Sequence, residues 1–517
     1  MQKIIRQSNY SLHKKVSLFL GIPIMLTILF LPRPAGLSPE GHKTLAVAIL
    51  MALWWITEAL PIPATALIPL AFFPFLSIMN YKEVAPNYSD SIIFLFMGGF
   101  FLAVTMQKWN LHKRLALHIV NIVGTSATRL ILGFMVATAF ISMMISNTST
   151  TLLMYPIGLA VVLHLSELKN QENAASSGMV DPNFQTALML GIAYSASVGG
   201  IGTLIGTPPN VIFAGVVTTL FPHAPSISFF QWMLIGIPLV LIFLPIIWLC
   251  LTRFIFPIAQ NELVGSKEYI EEQLQQLGKM SRGENVTLWV FIMTALALIF
   301  RRDINLSVVT IPGWTNALGI SQWVSDTTVV MFAALLMFAI PVNWKRGEFL
   351  LDWKWAIKIP WGLLLLFGGG IALAKGFQTT GLAAWIGSHL TNLNRVPVIV
   401  MILLICILLT FLTELTSNTA MTTIFMPILA STAVAMHTHP YLLMIPATIS
   451  ASCAFMLPVA TPPNAIIFGS GYVSMSSMTK AGLVINLIGA LLITALVYLL
   501  AIPIFNITPN SIPNWVQ

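Results

Sequence analysis

The chain has 517 residues, of which 57% are hydrophobic and only 8% charged, and its mean hydropathy is +0.87. Soluble domains carry about 25% charged residues, so this composition excludes an ordinary soluble protein and predicts a polytopic membrane protein. The net charge of +8 is explained by basic loops, since no basic patch interleaved with aromatic residues indicates nucleic-acid binding. The three cysteines lie in apolar runs without ligand spacing, and we expect neither a disulfide nor a metal site from them.

Apolar segments long enough to cross a membrane begin near the N-terminus. A short basic segment is followed there by an apolar run, and no small-residue cleavage site comes after it. We therefore interpret the apolar run as a retained first span rather than a signal peptide. Because a crossing needs about 20 apolar residues, about 11 transmembrane helices are predicted. They lie near residues 16–32, 44–60, 61–79, 90–108, 185–218, 229–253, 286–300, 327–342, 356–378, 441–470 and 480–505.

Two further apolar segments, 129–165 and 397–436, are too long for one helix. Each is interrupted in its middle by the tripeptide Ser-Asn-Thr, at 146–148 and at 417–419. Irregular backbone is tolerated at membrane depth only where it is surrounded by protein or lines a cavity. We therefore predict two re-entrant helical hairpins, each with its polar tripeptide at the tip.

Each hairpin is followed by a second repeated motif, Thr-Pro-Pro-Asn, at 207–210 and at 461–464. Proline removes a backbone donor and breaks a helix, so both motifs predict interrupted spans. Paired interruptions in the two halves of a chain are typical of a transporter binding site. Gly-Gly pairs at 98–99 and 368–369 also precede the hairpins, although such a pair can equally serve close helix packing.

The orientation of the two halves follows from charge. An odd number of crossings puts the termini on opposite sides, and the positive-inside rule places the N-terminus in the cytoplasm and the C-terminus outside. The first hairpin then opens from the inside and the second from the outside, which makes the fold an inverted repeat. The charged stretch 257–285 is predicted to be a cytoplasmic connector between the halves.

The two tips have the chemistry to bind ions of both signs. Helix N-termini direct N–H groups at an anion, while unwound carbonyls and the oxygens of Ser, Thr and Asn suit a hard cation such as Na⁺. No Lys or Arg lies in either tip or either Thr-Pro-Pro-Asn motif. A buried dianion would therefore need co-bound cations, because an uncompensated buried charge is very costly.

Other interpretations remain open from the residues alone. The polar residues could serve only as interhelical contacts. An intramembrane hydrolase would need a base beside a nucleophile, and neither tip contains a His. An ion channel would be recognised by continuous conductance, whereas a transporter gives saturable, substrate-dependent currents. Glu58 and Glu414 lie within apolar runs, and we expect both to bond helix ends.

Two long segments carry a resemblance to a known family. Residues 191–210 (GIAYSASVGGIGTLIGTPPN) and 452–464 (SCAFMLPVATPPN) are similar to the signatures of the divalent anion/sodium symporter family, the sodium-coupled dicarboxylate and citrate carriers. The resemblance covers about residues 40 to 505 and includes both Ser-Asn-Thr copies.

The resemblance implies a fold, a function and an assembly. The fold is an all-α polytopic membrane protein of the elevator type, and the function is Na⁺-coupled symport of C4-dicarboxylates such as succinate, malate and fumarate. A citrate or sulfate carrier and a Na⁺-independent dicarboxylate exchanger are the alternatives. The protein would be a homodimer in the bacterial inner membrane, surrounded by lipid. Its implied parts are a scaffold (1–124 and 286–394), a transport domain (125–256 and 395–517) and the connector 257–285.

The resemblance also implies site residues, position by position. The first sodium site would use Ser142, Ser146, Asn147 and Gly206, partly through backbone carbonyls. The second would use Thr413, Thr416, Asn418 and Ala460, where Thr416 replaces a smaller residue. The substrate carboxylates would contact Asn147, Thr148, Asn418 and Thr419, in a cavity shaped by Thr207, Pro208, Thr461 and Pro462.

Overall fold

The computed structural model describes residues 12–124, 126–172, 181–258, 266–306, 309–389, 396–509 and 511–516. Within them the chain is almost entirely helical, with two small two-stranded sheets. Nine of the described helices are long and apolar enough to cross a membrane. The prediction of an all-α membrane protein is thereby supported, while the count of about 11 transmembrane helices stays a prediction.

From residue 12 to residue 124 the chain contains seven α-helices, with a 3₁₀ helix over Ala85–Ser89 between the fifth and the sixth. Pro39 opens the second of them, whose N-cap Ser38 accepts a hydrogen bond from the Gly41 amide. The helices are α1 (Leu12–Phe30), α2 (Pro39–Thr57), α3 (Ile62–Thr65), α4 (Ile68–Phe75), α5 (Tyr81–Val84), α6 (Ser91–Lys108) and α7 (Leu111–Val123).

The predicted span at 61–79 is not one helix. Its residues form α3 and α4, which are separated at Ala66 and Leu67 and are both short. Pro69 accounts for this difference, because it lacks the N–H that a continuous helix would use to bond the Thr65 carbonyl.

The first hairpin and the first interrupted helix follow. They are α8 (Ala127–Ser142), α9 (Asn147–Glu172), α10 (Pro182–Ile201), α11 (Pro208–Leu220) and α12 (Phe229–Leu249), which continues as a π-helical turn over Cys250–Ile255. The helix breaks fall at the predicted motifs, since α9 begins in the Ser-Asn-Thr copy and α11 begins at the first proline of Thr-Pro-Pro-Asn.

The middle of the chain contains the connector and shorter elements. Within the described residues the predicted connector contains α13 (Ser266–Gln276) and the first residues of the next helix, which begins at Arg282, and its residues 259–265 lie outside the described ranges. The remaining elements are α14 (Arg282–Ile299), β1 (Ile304–Leu306), β2 (Val309–Ile311), α15 (Trp314–Ala317), α16 (Asp326–Ala339), β3 (Pro341–Asn343), β4 (Glu348–Phe349), α17 (Trp353–Ala356), α18 (Trp361–Thr379) and α19 (Leu382–His389). Both strand pairs are antiparallel, with Ile304 opposite Ile311 and Pro341 opposite Phe349.

The last part repeats the order of the first hairpin region. Its helices are α20 (Val398–Thr413), α21 (Asn418–Ala435), α22 (Tyr441–Ala451), α23 (Pro462–Phe468) and α24 (Met475–Ile504). A hairpin, an interrupted helix and a long apolar helix therefore occur twice, each time after a Gly-Gly helix (α6 or α18) and a shorter helix (α7 or α19). The internal repeat predicted from the motifs is confirmed in the order of the elements.

Glycines allow close contact between the helices that carry the motifs. A Cβ atom on Gly199 in α10 would lie 2.3 Å from the carbonyl oxygen of Ala139 in α8. In the Gly-Gly pairs, a Cβ on Gly98 would meet Val330 and one on Gly369 would lie 2.3 Å from the Ala66 carbonyl oxygen. The packing role of these pairs is therefore real, as expected where small residues let helix backbones approach.

A buried ion pair fixes the connector to the start of the first hairpin region. Arg114 in α7 bonds Glu284 at the start of α14 (Nε to Oε1, 2.8 Å), and its Nη1 donates to the Gly278 carbonyl (3.0 Å). Burying either charge alone would be costly. The pair therefore ties α7 to the segment that joins the two halves.

Candidate functional site

The first cluster of oxygen atoms lies where α8 ends and α9 begins. Ser142 Oγ is 2.6 Å from the Ala196 carbonyl oxygen in α10 and 2.8 Å from Asn147 Oδ1. A hydroxyl has one proton, so it can serve only one of these acceptors at a time. The other oxygen retains lone pairs that could bind a cation.

The interruption between α10 and α11 completes this cluster. A Cβ on Gly200 would lie 2.5 Å from Asn147 Oδ1 and 3.1 Å from the Gly206 carbonyl oxygen, so these two oxygens face the same glycine. Asn210 Nδ2 donates to the carbonyls of Gly200 (3.3 Å) and Thr203 (2.8 Å), which holds the interrupted backbone in shape. We call Ser142 Oγ, Asn147 Oδ1 and Gly206 O the first oxygen cluster.

Ser146 contributes differently from the other predicted residues of this site. Its hydroxyl oxygen lies 3.0 Å from Ser149 Oγ and accepts a hydrogen bond from the Ser149 amide (3.3 Å), at the start of α9. Its side chain is therefore used within its own helix. The Ser146 carbonyl also accepts a bond within this helix, from the Thr150 amide at 3.0 Å.

The second half repeats this arrangement. Thr413 Oγ1 is 2.6 Å from Asn418 Oδ1 and 3.1 Å from the Ala451 carbonyl oxygen. Asn464 Nδ2 donates to the carbonyls ten and seven residues before it, those of Ala454 and Leu457, both at 3.0 Å. Asn210 bonds the carbonyls at the same two spacings in the first half. The repeat therefore extends to individual hydrogen bonds, and we call Thr413 Oγ1 and Asn418 Oδ1 the second oxygen cluster.

Of the remaining predicted residues of the second site, Ala460 takes the position equivalent to Gly206, whereas Thr416 stands two residues before Asn418, where the first half has Ile145. The Ala460 amide donates to Leu457 O (3.2 Å), as the Gly206 amide donates to Thr203 O (3.3 Å). The Thr416 hydroxyl donates to the Leu412 carbonyl (2.9 Å). That bond uses the hydroxyl proton and leaves the oxygen lone pairs free.

The residues predicted to hold the substrate stand at helix starts. Asn147 and Thr148 begin α9, while Asn418 and Thr419 begin α21. Thr207 is the N-cap of α11, which begins at Pro208, and Thr461 is the N-cap of α23, which begins at Pro462. Because α11 packs against α21 and α23 packs against α9, the motifs of the two halves share one region. Helix N-termini there favour negative charge.

A repeated tripeptide that sequence reasoning did not single out also lines this region. Ser-Ala-Ser occurs at 195–197 and at 450–452, and the central alanines supply the carbonyls bonded by Ser142 and Thr413. The hydroxyls of Ser197, Ser450 and Ser452 are buried and unpaired within the described part of the chain. The sequence could have revealed this repeat, because in both halves Ser-Ala-Ser lies between the Ser-Asn-Thr and the Thr-Pro-Pro-Asn motifs.

One carboxylate distinguishes the two halves. Glu414 follows Thr413 directly and is 3% exposed. It accepts hydrogen bonds from the amides of Phe455 (2.7 Å), Met456 (2.9 Å) and Leu457 (3.1 Å) and from Asn486 Nδ2 (2.7 Å). Glu414 therefore bonds the non-helical backbone between α22 and α23 and a side chain within α24, where we expected helix ends, and the described residues include no basic partner for it.

The first half has no acid at the equivalent position. Met143 stands there, and its carbonyl accepts the Thr203 hydroxyl. Glu58, the other carboxylate in an apolar run, lies away from both clusters, where it pairs with Lys14 at 3.0 Å and is half-exposed. Fixed negative charge is therefore present beside the second oxygen cluster and absent beside the first.

Gly200→Ala tests the first oxygen cluster directly. The added methyl group would overlap Asn147 Oδ1, and overpacking costs about 1–3 kcal/mol. We expect cation affinity at this cluster to fall at least about tenfold. The measurement is the rise in thermal unfolding temperature of the purified protein with added Na⁺.

Ala454→Gly is the matched control, because Ala454 occupies the equivalent position in the second half and the change removes a methyl group. We expect it to keep the Na⁺-dependent rise. An equal response of Gly200→Ala and the wild type would show that Asn147 Oδ1 and Gly206 O do not form a cation site.

Comparison with known proteins matches nearly the whole chain. Residues 12–506 match the family described as the sodium:sulfate symporter transmembrane region. A protein of Staphylococcus saprophyticus named sodium-dependent dicarboxylate transporter SdcS is 43% identical over 500 residues, covering 96% of this chain and 93% of the relative. The SdcS of Staphylococcus aureus strain RF122 is 43% identical over 495 residues, covering 95% and 92%.

Solved structures show likeness of fold alone. The YdaH transporter of Alcanivorax borkumensis aligns with a TM-score of 0.55 at 12% identity, over 88% of this chain and 98% of that one. MtrF of Neisseria gonorrhoeae, from a class of antimetabolite efflux pumps, aligns with a TM-score of 0.57 at 12% identity, over 96% and 97%. One is named a transporter and the other an efflux pump, and the likeness of fold agrees with the fold class predicted from the sequence.

Proposed function

This chain belongs to the sodium:sulfate symporter family, which comprises symporters of divalent anions with Na⁺, and from that premise we propose that it imports C4-dicarboxylates together with Na⁺. Succinate, malate and fumarate are the proposed substrates. The protein is an integral membrane transporter and not an enzyme. We place it in the bacterial inner membrane, with the N-terminus in the cytoplasm and the C-terminus outside.

The observation that carries this proposal is the pair of oxygen clusters without a basic side chain. Oxygen-only ligation at neutral groups suits a hard monovalent cation better than a transition metal. Two cations beside the helix N-termini would offset a dianion that no Lys or Arg of the motifs meets. Coupling then follows, because the anion binds well only when the cations are bound.

We assign the ion sites to the two clusters. The first Na⁺ would bind Ser142, Asn147 and Gly206, with Ser146 contributing its carbonyl, and the second would bind Thr413, Asn418 and Ala460, with Thr416 contributing its carbonyl. The hydrogen bonds of Ser142 and Thr413 to the two asparagine oxygens support this assignment. The substrate carboxylates would contact the N-termini of α9 and α21 through Asn147, Thr148, Asn418 and Thr419. Thr207, Pro208, Thr461 and Pro462 would shape the cavity.

The transport step is proposed to be an elevator movement in a homodimer. The transport domain (125–256 and 395–517) would carry both clusters as one body past a scaffold (1–124 and 286–394), with 257–285 as connector. Contacts within the proposed transport domain support this grouping, since α8 packs on α10, α20 packs on α22, and α12 packs on α24.

Sodium replacement tests the proposed symport. In proteoliposomes, uptake of radiolabelled succinate driven by a Na⁺ gradient is expected to fall at least about tenfold when K⁺ or choline replaces Na⁺, since the dianion loses its compensating charges. Unchanged uptake would favour the Na⁺-independent exchanger instead. Malate should compete with succinate, whereas stronger competition by citrate or sulfate would reassign the substrate.

A further inference from the structure

The segment between α16 and α18 forms a surface of unusual composition. Residues 341–361 contain four tryptophans, at 344, 353, 355 and 361, and four basic residues, at 345, 346, 354 and 358. We call this segment the aromatic–basic platform. It joins two apolar helices, α16 and α18, so it lies where membrane-embedded structure meets the aqueous phase.

The aromatic side chains of the platform are exposed although they are large. Trp344 is 74% exposed, Trp353 63%, and Trp361 40%, and Ile357 between them is 53% exposed. Tryptophan rings are enriched at both membrane–water interfaces, where an apolar ring with one N–H group is suited to the headgroup level. The exposed rings therefore favour contact with a bilayer surface over contact with bulk water.

The basic side chains of the platform are available for an anion. None of the four forms an ion pair within the described part of the chain; Lys358 instead lies over the ring of Trp355, with Nζ 3.4 Å from the ring centre. The segment has two acids, Glu348 and Asp352, and Asp352 is bonded to Lys108 at 2.8 Å. The platform therefore carries excess positive charge.

Asp352 is committed to that pair. Burial would raise the pKa of Asp352, but hydrogen bonds from Lys108 and from the Trp355 amide outweigh it, so the pKa lies below its ordinary value. The carboxylate is therefore charged at neutral pH, and it neutralises Lys108 instead of a platform cation.

The platform is held rigidly before any ligand arrives. Lys108 Nζ donates to the Phe349 carbonyl (2.7 Å), Trp109 Nε1 donates to the Leu350 carbonyl (2.7 Å), and Leu350 and Leu351 are buried. Asn343 Oδ1 accepts the amides of Lys345 and Arg346 at the turn between β3 and β4. A preorganised surface loses less entropy on binding than a mobile one.

From these observations we propose that the aromatic–basic platform binds the headgroups of anionic phospholipids such as phosphatidylglycerol. The tryptophans lie among the headgroups, and the basic side chains contact phosphodiester oxygens, an attraction worth about 1 kcal/mol per basic residue near an anionic surface. A second copy of the same surface fits less well, because it would bring like charges together. The proposal does not rest on the transported substrate.

Lipid-specific quenching of tryptophan fluorescence tests the proposal. The full chain is placed in nanodiscs that contain equal fractions of brominated phosphatidylglycerol or brominated phosphatidylcholine. We expect stronger quenching by the brominated phosphatidylglycerol, and we expect the excess to decrease with added salt, because the Debye length falls from about 30 Å at 0.01 M to about 10 Å at 0.1 M.

Two variants with the same loss of charge complete the experiment. Lys345→Gln/Arg346→Gln/Lys354→Gln/Lys358→Gln is expected to lose at least about half of the excess quenching, since all four contributions near the surface are removed. Lys15→Gln/Lys279→Gln/Arg282→Gln/Lys480→Gln, at exposed positions elsewhere, is expected to keep it. Equal quenching by the two lipids, or an excess retained in the platform variant, would overturn the proposal. If Trp344→Phe/Trp353→Phe were quenched as strongly as the wild type, the proposal would also be overturned. These two rings would then not contact lipid, because a second copy of the chain would cover this face.

Discussion

Asn147→Ala and Asn418→Ala are each expected to reduce Na⁺-driven succinate uptake at least about 100-fold. Each change removes an oxygen that lies beside a hydroxyl of the same cluster, Ser142 in one case and Thr413 in the other. It also removes an amide donor at the N-terminus of a hairpin helix. Loss of a partner from a buried polar group costs about 1–3 kcal/mol, and about 1.4 kcal/mol corresponds to a factor of ten, so the loss of both roles predicts this magnitude.

Initial rates of uptake and the Na⁺-dependent thermal shift are the measurements for the two asparagine variants. Measured against its own unfolding temperature in choline, each variant should lose the part of the Na⁺-dependent rise that its own cluster provides, because a ligand stabilises only a state that it binds. Asn87→Ala is the control, since Asn87 bonds backbone carbonyls of its own turn, those of Glu83 and Val84. Wild-type accumulation by both Asn147→Ala and Asn418→Ala would refute the assignment of both sites.

Glu414→Gln is expected to raise the Na⁺ concentration for half-maximal uptake at least about tenfold and to lower the unfolding temperature. The carboxylate accepts four hydrogen bonds that hold residues 455–457 and α24 against the end of α20. A glutamine offers one carbonyl oxygen and two N–H donors, so some of these buried donors lose their acceptor at about 1–3 kcal/mol each. The change also removes the negative charge beside the second oxygen cluster.

Glu58→Gln is the matched control for this charge change. Glu58 is also an acid in an apolar run, but it is half-exposed and pairs only with Lys14, and such pairs contribute at most about 1 kcal/mol. We expect its sodium dependence and unfolding temperature to stay near those of the wild type. If Glu414→Gln behaved like Glu58→Gln, the carboxylate would have no role in shaping the second site.

Much of the fold and the candidate site could be predicted because the relevant signals are local. The tripeptides and the proline pairs mark helix breaks wherever they occur, since a missing N–H group has the same effect in any context. The structure places every one of these breaks at its motif. Hydropathy did not reveal the break within 61–79, where α3 and α4 are separated shortly before Pro69 in a segment that is apolar throughout.

The chemistry around Glu414 could not be predicted in the same way. The sequence placed an acid next to Thr413 and favoured a role at helix ends, but its partners lie 41 to 72 residues away. No spacing rule connects an acid to amides at such separations. Met143 occupies the position in the first half that Glu414 occupies in the second. Only the contacts of Glu414 in the tertiary structure show what this difference between the halves does.

By itself, the sequence determined the membrane class, the repeat, the positions of the breaks and the kind of atoms gathered at them, because composition and helix-breaking residues act over a few neighbours. Only the tertiary structure decided which oxygens face each other: Asn147 Oδ1 meets Gly200 and the carbonyl of Gly206, and Thr413 reaches the carbonyl of Ala451. Those distances depend on how α8 packs on α10 and how α20 packs on α22. Packing between distant segments is a property of the whole chain, and no local pattern contains it.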